Sequence, residues 1–283
     1  MSYTLALANP AIPESIPSSS DVILAARALI ESDLETEWKK GKLFPVKLSS
    51  GSTRDVQTFS RKVGDARETW FMRISEHDVT QDGTFDEFWN GLGVDHAQHE
   101  AQYIPEIVNA SLLKTVEPNV SEVWSLHYNL GPMLSPRTFT IVLMTKLSEA
   151  SSFPPLREGL VVSIPFNTSS DQNLSELEGQ WGEGGKGKVG VKGKYAAVEW
   201  IRELGNGKVE WRMATTSIPG GMIPGFLATG AIPGAISKDV KHFLEWMAKS
   251  RNTQTSTDPP VPFAAPVLPN VIVETRGGSL TQP

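Results

Sequence analysis

The sequence predicts an α+β domain, with a succession of antiparallel strands closed by one long C-terminal helix. Three observations predict it. Strand-like segments follow one another from Val56 to Thr216 with turn signals between them. The helical segments are grouped and do not alternate with the strands. The strand beginning at Val209 runs through a Pro/Gly turn into a single amphipathic segment, Met222 to Lys249. A meander that lays its last helix back over its own sheet can enclose an apolar cavity, so this order points to a protein that holds an apolar small molecule.

Taken in order, residues 1–20 are rich in Pro and Ser and read as a flexible lead-in. Asp21 can cap a helix whose apolar stripe is Val22, Ala25, Ala26, Leu29, Ile30 and Leu34, ending near Gly41. Val56–Val63 and Arg67–Glu76 read as a hairpin about Gly64-Asp65, with Phe59 near Trp70 and Arg61 near Glu68. Phe85, Phe88, Trp89 and Leu92 form one helical face, and Asp95 with Gln98 makes a capping box for a helix through Tyr103. Strands resume at 108–116, 121–130, 137–147 and 159–166. Residues 167–190 are polar and Gly-rich and read as a long mobile loop. A last hairpin, 193–204 and 207–216, turns at Gly205-Asn206-Gly207. A two-residue turn there puts Val198, Trp200, Val209, Trp211 and Met213 on an inward face, and sends Glu199, Glu203, Lys208, Glu210 and Arg212 to water. Residues 252–283 hold six prolines without apolar periodicity and read as a disordered tail, which leaves 21–251 as the folded domain.

Composition removes several function classes. A net charge of -6 and a pI near 5.5 argue against nucleic acid, and the short basic stretch Lys186–Lys194 lacks aromatics. The absence of cysteine excludes disulfides, thiolate metal sites and Cys nucleophiles. Met1–Ser20 lacks the basic start of a signal peptide, and no apolar run reaches the ~20 residues that cross a bilayer. The expected location is the cytoplasm, so the Asn-x-Ser/Thr triplets at Asn109, Asn119, Asn167 and Asn173 are read as unglycosylated.

The order helix, strands, two helices, strands, final helix resembles the START-like, or helix-grip, lipid-binding superfamily. Trp70–His77, Phe85–Phe88 with Asp95-His96 and Glu100–Tyr103, Leu134–Phe139, Val198–Ile201, Ile232–Val240 and Phe243–Trp246 resemble a fungal branch of it, carried as domain of unknown function 3074. The resemblance implies a curved sheet wrapped around the C-terminal helix, with a tunnel between them for a sterol, phospholipid or polyketide-like ligand. It also implies that Asn129–Pro136 is a gate loop. It carries no catalytic residue set.

Candidate ligand-binding residues are the aromatic, Met and apolar side chains assigned to inward faces, namely Trp70, Met72, Trp124, Leu126, Tyr128, Trp200, Trp211 and Met213. Met222 and Phe226 at the start of the last helix join them. That helix is broken by Pro224 and Pro233, which suits either a bent core helix or a hinged lid. Arg137 opens a strand beside the proposed gate, where a guanidinium could bind a carboxylate, phosphate or enolate; a surface ion pair is the plain alternative. Arg73 lies between apolar neighbours and is expected to face out or toward a covering helix. His127 is expected opposite Trp124, and His77 at an exposed strand end. His96, His99 and Glu100 fall short of a zinc set, and His96 with Glu100 reads as a helix-surface pair. Gly182–Gly187 has neither the flanking strand nor the helix a nucleotide motif needs. Three readings remain: a cofactor-free carrier of a lipid or apolar metabolite that touches membranes transiently; a cofactor-independent cyclase, isomerase or pericyclase of fungal secondary metabolism; or a membrane-contact adaptor that recruits a partner through its Pro-rich tail. The second would draw its acid or base from Arg137, His127, Tyr128 or His77.

Overall fold

The computed structural model describes residues 3–63, 68–131, 134–149, 156–180, 190–220 and 225–255. Helix α1 (Ser19–Ile30) is followed by strands β1 (Lys39–Lys47), β2 (Thr53–Val63) and β3 (Glu68–Asp78), then by helices α2 (Phe85–Leu92) and α3 (His96–Tyr103). Strands β4 (Ile107–Glu117), β5 (Ser121–Tyr128), β6 (Arg137–Glu149) and β7 (Arg157–Pro165) come next, with helix α4 (Gln172–Gly179) after them. The chain then forms β8 (Val191–Leu204), β9 (Lys208–Ile218) and helix α5 (Gly225–Thr255).

The nine strands among the described residues make one sheet in the order β1-β2-β3-β9-β8-β7-β6-β5-β4, with every neighbouring pair antiparallel. The start of β8 also pairs in parallel with the start of β6, over Arg137–Phe139 and Val191–Gly193. Alternate side chains leave to opposite faces. On the outer face α1 covers a core containing Val22, Ala26, Ile30, Trp70, Met72, Val142, Val162 and Trp200. On the inner face α2, α3 and α5 cover Phe88, Trp124, Leu126, Ile141, Ile201, Trp211, Val240 and Phe243. The sheet therefore grips α5, as the resemblance implies.

Several elements depart from the sequence reading, each for a physical reason. The lead-in is packed: Leu5 and Leu7 are buried in the outer core, and Ala11 bridges Phe166. Helix α1 stops at Ile30, because Trp38 turns back into the outer core and β1 begins at Lys39. That strand escapes notice because it is a sheet edge rich in Lys, with Pro45 and little buried besides Val46. The β2–β3 register pairs Phe59 with Met72 and Arg61 with Trp70, two residues away from the expected register, so the faces are unchanged. Asp95 caps α3 in a left-handed conformation (φ 46°), with no side-chain hydrogen bond. Within the supposed loop 167–190, Asp171 caps α4, whose Glu178 is buried. Residues 252–255, assigned to the tail, continue α5.

The largest correction is in the last hairpin. Leu204 pairs with Lys208, so the turn has three residues, Gly205 to Gly207, with Gly207 left-handed at φ 76°. The extra residue reverses one strand's facing relative to the other. Trp200 stands beside Arg212, and Glu199 beside Met213.

Candidate ligand-binding site

Three strands supply the middle of the inner wall. Register places Arg73 of β3 beside Met213 of β9, and Met213 beside Glu199 of β8. Toward one end, Trp211 meets Phe243 of α5 at 5.0 Å, and Phe88 and Tyr103 pack on Phe243 at 5.3 and 5.5 Å. That end is closed by aromatic rings. Toward the other, Tyr128, Phe139 and Tyr195 make edge contacts at 5.3 and 5.5 Å.

Between the two aromatic groups lies a polar band. Arg73 is 1% exposed, and its guanidinium stacks 3.7 Å from the Trp211 ring. Its Nε and Nη1 have no hydrogen-bond partner among the described residues. Burial lowers its pKa, against the opposing charges of Glu199, Asp239 and Tyr103. Glu199 is turned elsewhere: Oε2 accepts from Trp211 Nε1 at 2.7 Å, and Oε1 lies 3.8 Å from His96 Nε2. His96 Nδ1 meets the Leu92 carbonyl at 2.7 Å, and its Nε2 is also 3.8 Å from Glu100.

Two carboxyls complete the band. Burial, partly offset by His96, pushes Glu100 up to about 7. Burial likewise pushes Asp239 of α5 up to about 7, against the pull of Arg73. The hydroxyls of Tyr103, Tyr128 and Tyr195 are raised well above 10.0, burial first. Yet Glu100 keeps 20% of its side-chain surface accessible, and Asp239, Tyr128, Tyr195 and Met213 are only half-buried.

The predicted site residues divide between the faces. Trp124, Leu126, Tyr128, Arg137, Trp211 and Met213 share the inner face. Arg137 is buried beside Tyr128, its Nη1 donating to the Ser135 carbonyl and its Nε unpartnered among the described residues. Trp70, Met72 and Trp200 belong to the outer core under α1, and Trp200 donates from Nε1 to Glu158. They are removed from the wall facing α5, because strand parity points them the other way. Met222 lies outside the described residues, as does the side chain of Phe226.

His127 is on the outer face, as expected, between Ser125 at 3.2 Å and Thr138 at 3.1 Å; burial lowers it to about 4. His77 is wholly buried instead of exposed. Its Nε2 meets Ser75 Oγ at 2.8 Å and its Nδ1 lies 3.4 Å from Asp82, which Arg54 also holds. The order Ser75, His77, Asp82 is that of a nucleophile relay, but Ser75 and His77 are sealed. The Phe88 ring centroid is 4.9 Å from that of His77, so the set ties β3 to the start of α2.

Glu100, Glu199, Tyr195 and Asp239 were missed or placed in water by sequence reasoning, whereas Arg73 faces the covering helix, one of the two orientations expected for it. Asp239 carried a signal: three residues after Ile236 and four before Phe243, an acid interrupts the apolar stripe of α5. An open cleft of about 1030 Å3 between the start of α1 and the β4–β5 turn shares no residue with this band. Among the described residues no group of three or more His, Asp or Glu could hold a metal ion, and no helix is long and apolar enough to cross a membrane.

A model of the family described as protein of unknown function (DUF3074) matches residues 70–247. The uncharacterized protein C577.11 of Schizosaccharomyces pombe is 23% identical over 205 residues, 71% of this chain and 77% of that protein. Human STARD10 superposes with a TM-score of 0.59 at 11% identity, over 86% of this chain and 84% of that one. Human StAR-related lipid transfer protein 5 superposes with a TM-score of 0.55 at 12% identity, over 83% of this chain and all (100%) of the other. At these identities the likeness establishes the fold, a START-like helix-grip.

Proposed function

We propose that this chain, which belongs to the DUF3074 family and has the START-like helix-grip fold, binds an apolar small molecule or lipid in a hollow between its sheet and α5. One observation carries the reading. Asp239, Glu100, Tyr128 and Tyr195 are surrounded closely enough for burial to shift their titration, yet each keeps accessible surface. Groups both enclosed and reachable line an internal space. Met213 and the Tyr128–Phe139–Tyr195 group give that space apolar walls.

Desolvation drives binding, at roughly 25 cal/mol per Å2 of apolar ligand surface removed from water. A lipid taken from a bilayer requires transient membrane contact. Helix α5 contains Pro233, whose missing N–H weakens the turn before it, and Ser237 Oγ donates to the Pro233 carbonyl at 2.6 Å. A bend there lets the first half of α5 swing while Phe243 stays packed. Native mass spectrometry of the freshly purified protein tests the reading, with neutral Nile red added after delipidation. A retained lipid-sized mass or enhanced Nile red emission supports it, and a delipidated protein that binds no apolar probe overturns it.

A second reading has its own support. Two enclosed carboxyls at about 7 suit general acid–base work near neutrality. In a cofactor-independent cyclase or isomerase, Glu100 and Asp239 would move the proton while the hollow folds the substrate. His77 and His127 would not, being sealed and on the outer face respectively.

A further inference from the structure

The polar band is electrically matched but not hydrogen-bonded at its centre. Arg73 has Glu199 for counter-charge, joined by Asp239 only once that carboxyl ionises near 7, yet among the described residues its Nε and Nη1 find no acceptor. The Trp211 ring at 3.7 Å fixes the guanidinium plane, while Glu199 is committed to the indole N–H on the same ring. A guanidinium has five donors and no acceptor, and leaving them buried and unpaired is costly. Groups around it are donors as well. The Tyr103, Tyr128 and Tyr195 hydroxyls keep their protons, and Glu100 and Asp239 hold theirs up to about 7. Their oxygens can also accept, but among the described residues none of them reaches Arg73 Nε or Nη1.

We propose that Arg73 is the polar anchor of the ligand, and that it seats an anionic oxygen group, a carboxylate or phosphate monoester, at the head of an otherwise apolar molecule. Glu100 of α3 and Asp239 of α5 close over that group from the helical side. The assignment rests on the hollow proposed above and names the class of its occupant: an acidic amphiphile, not a neutral sterol or a cationic lipid. Charge-assisted bonds to a guanidinium are the strong ones, and the planar fork suits both anions. Arg73 is 1% exposed, so the seat is shut in this structure and opens only when the helical side parts from the sheet.

The test uses the full chain, delipidated, with Nile red displaced by four amphiphiles of equal chain length: oleate, oleyl phosphate, oleyl alcohol and oleyl trimethylammonium. Wild type is expected to prefer at least one acid over the alcohol by about tenfold or more, near 1.4 kcal/mol. The two acid arms separate carboxylate from phosphate. Arg73→Met is expected to lose the preference, and Arg73→Lys to recover part of it, with near-UV circular dichroism reporting the core in each variant. If Arg73→Met does not fold, the wild-type ranking and Arg73→Lys still decide. Equal displacement by acid and alcohol, tighter displacement by the cation, or a preference that survives in folded Arg73→Met overturns the anchor while leaving the hollow standing. No Nile red binding to wild type overturns the hollow, and the anchor with it.

Discussion

Replacing Asp239 by Asn should make the ligand-free protein more stable, and increasingly so as pH rises. Asp239 projects from α5 into the band with Arg73, Glu100 and Glu199, and burial moves its carboxyl from 3.8 to about 7. The folded protein thus binds this proton more tightly than the unfolded chain does. Stability from the group is fully present below about pH 4 and is lost as pH rises through about 7, where the folded state must ionise it. At about 1.36 kcal/mol per pH unit the full cost near pH 8 is roughly 4 kcal/mol, an upper figure for a group that is only half-buried. Asn keeps the shape of the protonated acid and never ionises. The gain from Asp239→Asn should therefore grow by about 2–3 kcal/mol between pH 5 and pH 8. Urea unfolding followed by tryptophan fluorescence at the two pH values measures it. A gain equal at both, or a loss at pH 8, would show that Asp239 is solvated or ion-paired, and would remove one wall of the proposed hollow.

Asp82 should behave in the opposite sense. Burial works against its charge, but the His77 ring 3.4 Å away and the hydrogen bonds from Arg54 outweigh it and hold the carboxyl at about 2. Its contribution is present above about pH 4 and fades as pH falls toward 2. Asp82→Asn should thus cost about 2 kcal/mol at neutral pH and little at pH 2, read from unfolding midpoints. Trp200→Ala should lower stability by about 3–5 kcal/mol without altering Nile red affinity, since the ring lies in the outer core with Arg202 stacked 4.4 Å away. Weakened probe binding with unchanged melting would return Trp200 to the inner wall. Gly159→Ala should cost about 1–3 kcal/mol, because a Cβ there would sit 2.1 Å from the Trp89 ring. A melting temperature equal to wild type would mean that Trp89 can move aside.

Elements whose identity depends on local periodicity were legible in the sequence; features that depend on parity and pairing were not. Phe85, Phe88 and Leu92 repeat at helical spacing, and α2 forms where they stand, fixed by a capping box between Thr84 and Glu87. β1 has no such pattern, because one edge of it faces solvent and its Lys residues protect that edge. The interior failed on one residue of turn length. Trp200 and Trp211 pair with Arg212 and Ile201, and no hydrophobicity rule says which face of β8 turns in when that strand carries charges on both. Apolar content cannot discriminate there, since Glu199 is more deeply buried than many apolar residues, at 7% exposure. Three-residue closure at Gly205–Gly207 decides it. That closure carries Glu199 from water to the Trp211 indole and sets the counter-charge for Arg73. Removing one residue of the turn would force a two-residue loop and rotate one strand's side chains to the opposite face. Either Trp211 or Glu199 would then leave the inner wall. Deletion of Asn206 should accordingly abolish folding or acid-selective binding, whereas replacing Asn206 by Asp within the same turn length should preserve both.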